Sequence, residues 1–191
     1  MRLCVFCGSS PGVRPEYRDS AERLGRQMLR REVGLVYGGG SIGLMGVVAD
    51  AVLEGGGEVI GVIPSSMARK EVAHSGLGKL HVVEGMHPRK AKMAELSHGF
   101  IALPGGFGTY EELFEVITWS QLRFHRKPVG VLNACGYFDP LLKMIDHGIE
   151  EGFIRPENRG IIAVKRDPEE IVDEVLKLAS PEKSWVDLRE I

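Results

Sequence analysis

The apolar run Phe100-Ile101-Ala102-Leu103, followed at once by Pro104 and then by Gly105, Gly106 and Gly108, constrains this chain more than any other feature. An unbroken apolar run of that kind reads as a strand buried on both faces. Proline ends it, because proline cannot donate to a sheet ladder. The glycines leave a backbone able to turn tightly and to approach a ligand closely. Thr109 is a good N-cap and Glu112 stands three residues on, the spacing of a capping box. Leu113, Val116, Ile117 and Leu122 continue at near-helical spacing. Strand, glycine turn and helix start in that order suit a phosphate, since N–H groups and the positive end of the helix dipole converge there. Glu111 and Glu112 add two carboxylates to the same stretch. Taken alone, Glu112 is as readily a helix cap as a reacting group.

The same pattern recurs along the chain. Leu3-Cys4-Val5-Phe6 reads as a central strand and runs into Cys7-Gly8-Ser9-Ser10-Pro11-Gly12. Gly34-Leu35-Val36-Tyr37 reads as the next and runs into Gly38-Gly39-Gly40-Ser41-Ile42-Gly43. Further strands are predicted at 59–63, 80–83, 128–132 and 160–164, and helices at 17–32, 44–53, from Met86 onward, at 111–122, 140–150 and 168–178. Asp167-Pro168-Glu169-Glu170 is a start signal for the last helix. Residues 67–79 are polar and irregular, a candidate flap. The alternation predicts an α/β chain: a Rossmann-like, doubly wound parallel sheet of six or seven strands flanked by helices. It forms a single domain over residues 1–180, with a polar C-terminal tail at 181–191. In such sheets ligands bind beyond the carboxyl ends of the strands. The loops carrying Ser9, Gly39 and Gly40, and residues 106–109, should therefore meet along one rim.

Several function classes lose support. Gly38-x-Gly40-x-x-Gly43 fits a dinucleotide fingerprint, but the next strand ends in Pro64-Ser65-Ser66, with no acid to hold a ribose. No Gly-Lys-Ser/Thr follows, so it is no P-loop either. A mononucleotide or phosphate loop fits better. The formal net charge of −2 over 191 residues gives no basic field for nucleic acid. No apolar run reaches the roughly 18 residues of a membrane helix, and the apolar N-terminus is too short for a signal peptide, so a cytoplasmic location is the default. Cys4 and Cys7 have CxxC spacing, yet they lie on a strand, where alternation sends them to opposite faces; they read as packing thiols. The histidines show no ligand spacing, and neither metal nor cofactor is called for.

Pro104-Gly105-Gly106-Phe107-Gly108-Thr109-Tyr110-Glu111-Glu112 resembles the PGGxGTxxE signature of the LOG ("Lonely Guy") family, the cytokinin riboside 5′-monophosphate phosphoribohydrolases long mislabelled lysine decarboxylases. The likeness covers residues 3–162. Met86-His87-x-Arg89-Lys90-x-x-Met93 is similar to the family's MHxRKxxM. Tyr37-Gly38-Gly39-Gly40 with Gly43-Leu44-Met45-Gly46 is similar to YGGGxxGLMG, and Glu115-Val116-Ile117-Thr118-Trp119 to EVITW. The resemblance implies that Arg89 and Glu112 are catalytic. It implies that Lys90, Gly106, Phe107, Gly108, Thr109, Glu71 and Thr118 contact the nucleotide, with Met86, Ser9, Gly39 and Gly40 in the same binding set. It also implies a homodimer paired through the helix at 111–122, which carries Phe114, Trp119 and Leu122 beyond what one sheet face needs.

The expected substrate is a nucleoside monophosphate: an N6-modified adenosine 5′-monophosphate, and AMP itself. A carboxylate beside the anomeric carbon can stabilise the cationic ribose or activate a water. The alternative is a non-catalytic carrier of a nucleotide or of the molybdenum cofactor on the same fold. A pyridoxal-phosphate lysine decarboxylase is set aside, because the chain is short and no lysine is convincingly placed for a Schiff base.

Overall fold

Strand β1 (Arg2–Phe6) pairs in parallel with β2 (Gly34–Tyr37) on one side and β5 (Gly99–Ala102) on the other, which puts the N-terminus of the chain in the middle of the sheet. The computed structural model describes residues 1–68, 74 and 76–179. The other strands are β3 (Val59–Pro64), β4 (Lys79–Val83), β6 (Val129–Leu132) and β7 (Ile162–Lys165). All pairings are parallel, in the order β4-β3-β2-β1-β5-β6-β7. Every residue of β2, β3, β5 and β6 is buried, as a sheet covered on both faces requires. β4 is an edge strand, and its residues stay partly exposed.

Helices cover both faces. Leu24 and Met28 of α1 (Pro15–Arg30), Val48 and Val52 of α2 (Gly43–Leu53) and Ile171 and Val175 of α7 (Pro168–Leu178) pack in one core layer. Met93 of α4 (Met86–Leu96), Leu113 and Val116 of α5 (Phe107–Gln121) and Ile145 of α6 (Asp139–Glu150) pack in the other. Cys7 belongs to the first layer and Cys4 to the second, the split that strand alternation demands.

The chain steps outward from β1 through β2 and β3 to β4, then returns to lay β5 on the other side of β1. That reversal is a topological switch point, where the loops beyond neighbouring strands diverge and open a crevice.

Three local readings need revision. Thr109 is not the N-cap of α5. The helix starts three residues earlier than that cap implies, with Gly106 as the cap (φ −95°, ψ −156°) and no capping side chain. Thr-x-x-Glu mimics a capping box, but the turn has already been set by glycine. Residues 67–79 are not wholly irregular: Met67 and Ala68 complete a short helix α3 (Ser65–Ala68), and β4 begins at Lys79. Residues 69–73 and 75, which include Glu71, and the tail from 180 lie outside the described residues. Helix α1 also starts and ends two residues earlier than its periodicity implies, with Pro15 at its head. Asp167 does cap α7, its Oδ1 accepting from the N–H groups of Glu169 at 3.0 Å and Glu170 at 3.2 Å.

Candidate functional site

The three glycine-rich loops are stitched together by backbone. The Gly8 N–H donates to the Pro104 carbonyl at 3.0 Å, and the Gly8 carbonyl accepts from Leu44 N–H at 2.9 Å. The loops after β1, β2 and β5 thus share one residue. Gly43 has φ +61°, and a Cβ there would lie 2.2 Å from the carbonyl carbon of Ser9. A Cβ on Gly105 would lie 2.1 Å from Thr109 Oγ1 and 2.8 Å from the Gly8 nitrogen. Only glycine permits that approach. Between the loops is a pocket of about 280 Å³ lined by Gly8, Ser9, Tyr17, Leu44, Gly105, Gly106 and Tyr137 among others.

Gly106 and Gly108 differ from these: a Cβ at either would meet nothing within 4 Å. Packing inside the chain does not demand glycine here, and the bare backbone is open to a ligand. The first intrahelical bond of α5 runs from Tyr110 N–H to Gly106 O at 3.1 Å. The N–H groups of residues 107–109 precede that ladder, and the positive end of the helix dipole lies with them.

Arg89 and Glu112 come together from different helices. Arg89, in the first turn of α4, places Nη1 2.7 Å from Glu112 Oε1. Its Nε donates to the Val62 carbonyl in β3 at 3.1 Å. Gly38 makes room for it, since a Cβ there would sit 2.3 Å from Arg89 Nη2. The two side chains are only 12% and 9% exposed. Burial pushes the Glu112 carboxyl above its ordinary value, and Arg89 pulls against that without cancelling it.

A second ionic joint lies beside the first. Lys90 Nζ meets the carboxylates of Glu111 and Glu115, the latter at 2.9 Å, and its side chain is 7% exposed. Burial pulls the ammonium down, but its two carboxylate partners outweigh that and the net direction is upward. Helices α4 and α5 are therefore zipped by two cations and three carboxylates. Both CxxC thiols are held protonated, chiefly by burial and then by the nearby Glu112 charge, so they are inert packing groups. Among the described residues no group of three or more His, Cys, Asp or Glu is placed to hold a metal ion.

The remaining expected residues are scattered around this centre. Ser9 lines the pocket, whereas Gly39 and Gly40 are buried and do not line it. Gly39 accepts from His74 N–H at 2.9 Å, and His74 Nε2 is 2.9 Å from Asp50 Oδ1, which fastens that part of the β3–β4 connection. Phe107 is 92% exposed and Met86 is exposed as well. Thr118 lies on an exposed face of α5, about 13 Å beyond Thr109 along the helix axis at 1.5 Å per residue, and is not part of the pocket.

Sequence reasoning missed Tyr137, Tyr110, His125 and Lys127. Tyr137 donates its hydroxyl to the Gly105 carbonyl and sits 2.6 Å from the Tyr110 hydroxyl. Only the Gly136 turn signal next to it hinted at anything. His125 Nδ1 accepts from Lys127 N–H at 3.1 Å, so Nε2 carries the proton and donates to Val116 O in α5 at 3.0 Å. Lys127 Nζ donates to Ala94 O in α4 at 2.7 Å. This strap ties together the two helices that bear Arg89 and Glu112.

Residues 45–175 match the family described as "Possible lysine decarboxylase". Cytokinin riboside 5′-monophosphate phosphoribohydrolase LOG7 of Arabidopsis thaliana is 52% identical to this chain, over 90% of it and 79% of the relative. The enzyme LOG1 of the same plant is 51% identical, over 96% of this chain and 89% of the relative. Among solved structures, the molybdenum cofactor binding protein from Rippkaea orientalis superposes with a TM-score of 0.71 at 20% identity, covering 94% of this chain and 97% of that one. At that identity the likeness speaks for a shared fold.

Proposed function

The chain belongs to the LOG family of cytokinin riboside 5′-monophosphate phosphoribohydrolases, and from that premise we propose that it hydrolyses the N-glycosidic bond of N6-modified adenosine 5′-monophosphates, and of AMP, to free base and ribose 5-phosphate. The observation that carries this reading is the buried Arg89–Glu112 pair, held near the glycine-capped N-terminus of α5.

Cleaving the bond to the base develops positive charge on the ribose. Glu112 supplies the opposing carboxylate and orients the attacking water. Burial raises the Glu112 carboxyl above its ordinary value, the direction that makes an ionised carboxylate a stronger base. Arg89 keeps Glu112 ionised and aimed, and Lys90 sets the spacing of α4 and α5 through Glu111 and Glu115. The 5′-phosphate sits on the N–H groups of residues 106–109. There it provides binding energy remote from the bond that breaks, which orients the anomeric carbon.

The same arrangement bears on the carrier alternative. A carrier needs the glycine cradle but has no use for a paired, buried carboxylate next to it. We further propose a homodimer paired through α5, whose C-cap Leu122 is exposed and whose Phe114 and Trp119 are only partly covered by the core. A monomer by light scattering at micromolar concentration would rule the dimer out.

The test is to incubate the protein with N6-isopentenyladenosine monophosphate and with AMP, following base and ribose 5-phosphate by chromatography. Glu112→Gln and Arg89→Ala run alongside. Base release that disappears in Glu112→Gln supports the hydrolase. Nucleotide binding without base release in the wild type sinks it in favour of the carrier.

A further inference from the structure

The peptide between Gly105 and Gly106 is the one in the phosphate loop that is easiest to turn over. Both flanking residues are glycine, so neither side resists a change of ψ and φ. Its orientation matters because a trans peptide points its C=O and N–H in opposite directions, and no cis bond occurs here. Whatever holds the Gly105 carbonyl also aims the Gly106 N–H at the start of α5.

Tyr137 is what holds it. Its hydroxyl donates to the Gly105 carbonyl, and a carbonyl can only accept. The single Tyr137 proton is therefore spent, and the 2.6 Å contact with Tyr110 is a bond donated by Tyr110 to the Tyr137 oxygen. The relay closes on α5 itself: Tyr110 is the residue whose N–H makes the first bond of that helix, to Gly106 O. Burial and the Tyr110 contact push the Tyr137 phenol up to about 12, so it stays a donor throughout the working pH range.

The rest of the β6–α6 connection presents this hydroxyl. Cys135 and Gly136 both have positive φ, +52° and +73°, which reverses the chain just before Tyr137. Phe138 is fully buried and its N–H donates to Asn133 Oδ1 at 2.8 Å. The Tyr137 ring stands edge-on to Phe138 at 5.1 Å and to Tyr17 at 5.8 Å. A side chain fixed on two sides delivers its hydroxyl to one place.

We propose that Tyr137 is a positioning residue for the substrate's 5′-phosphate: through the Gly105 carbonyl it locks the Gly105–Gly106 peptide and so aims the Gly106 N–H into the phosphate cradle. This rests on reading residues 106–109 as the phosphate site. Tyr137 does not touch the reacting atoms, and its effect falls on phosphate affinity.

Tyr137→Phe keeps the ring packing and removes only the hydroxyl. The dissociation constant of ribose 5-phosphate, measured by calorimetry, and KM for the nucleotide should each rise about five- to tenfold. The turnover number should stay within about twofold, and inhibition by free adenine should not change. Tyr110→Phe leaves the Tyr137–Gly105 bond in place and should raise the same constants by less than about threefold. An unchanged ribose 5-phosphate affinity in Tyr137→Phe overturns the proposal. So does a parallel loss of turnover, adenine binding and thermal stability, which marks a merely structural role. A wild type that releases no base, yet binds ribose 5-phosphate in a Tyr137-dependent way, discards the hydrolase and keeps the positioning role. A wild type that does not bind ribose 5-phosphate discards both.

Discussion

Arg89 Nη1 lies 2.7 Å from Glu112 Oε1, and each side chain keeps only about a tenth of its surface in contact with solvent. A buried ion pair of this kind contributes little net stability, but removing one member strands the other charge. Arg89→Ala should therefore cost about 3 kcal/mol at neutral pH. The sign of its pH dependence follows from Glu112. Without Arg89 the carboxyl rises further above its unfolded value, so folding favours the protonated form and the cost shrinks as pH falls. Urea unfolding at pH 8 and at pH 5 checks this; an equal cost at both would contradict it.

The same pair sets the acid side of the activity profile. In the proposed mechanism Glu112 works ionised, and burial holds it above its ordinary value of 4.5. The acid limb of kcat/KM, which reports the free enzyme, should lie above 4.5, with activity lost as pH drops through it. Arg89 lowers the Glu112 value, so the residual activity of Arg89→Ala should show a limb displaced to still higher pH. A limb at or below the ordinary carboxylate range would show that Glu112 is not the group that titrates.

The glycines divide into two kinds that a stability assay can separate. Gly43→Ala puts a Cβ 2.2 Å from Ser9 backbone at φ +61°, and should cost at least about 2 kcal/mol. Gly108→Ala meets nothing within 4 Å and lies in the first turn of α5. Alanine there should keep or raise the melting temperature, by about 0.5–1 kcal/mol of helix preference, while weakening ribose 5-phosphate binding. Equal destabilisation in both variants would undo the distinction.

His125 should account for part of the acid sensitivity of the fold. Burial lowers it from 6.5 to about 4, with the Lys127 charge a smaller contribution. The folded state thus binds fewer protons than the unfolded one between those values. Stability is complete above 6.5 and falls as pH drops to about 4, by on the order of 3 kcal/mol from this group. In His125→Gln the stability–pH curve should be flatter over that window, whatever its absolute height. Parallel curves for the two proteins would refute the assignment.

What could be read from the sequence was whatever is local in the chain. Phe100-Ile101-Ala102-Leu103 before a glycine turn identified a buried strand with a helix after it, and the repetition of that unit gave the parallel sheet. The glycine loops were expected to converge because parallel topology puts them at one end of the sheet. The start of α5 was misread because Thr109 and Glu112 carry a capping pattern, whereas glycine at 106 sets the turn and Arg89 claims the Glu112 carboxylate from 23 residues away. Tyr137 was invisible for a related reason: its partner Gly105 is 32 residues distant, and a tyrosine after a turn has no spacing that points across the sheet. The Arg89–Glu112 partnership came from family likeness and not from pattern, since no periodicity within α4 or α5 links the two.

Gly8 spends both of its backbone groups on other loops, its N–H on Pro104 and its carbonyl on Leu44. A keystone of this sort makes the three loops move as one body. Little in these three loops is left to be ordered when substrate arrives, so the entropy their part in recognition would cost has already been surrendered during folding. The corollary is an enzyme that discriminates by fit against a finished surface. Tighter variants would come from loosening nothing at this rim and reshaping only the wall that faces the base.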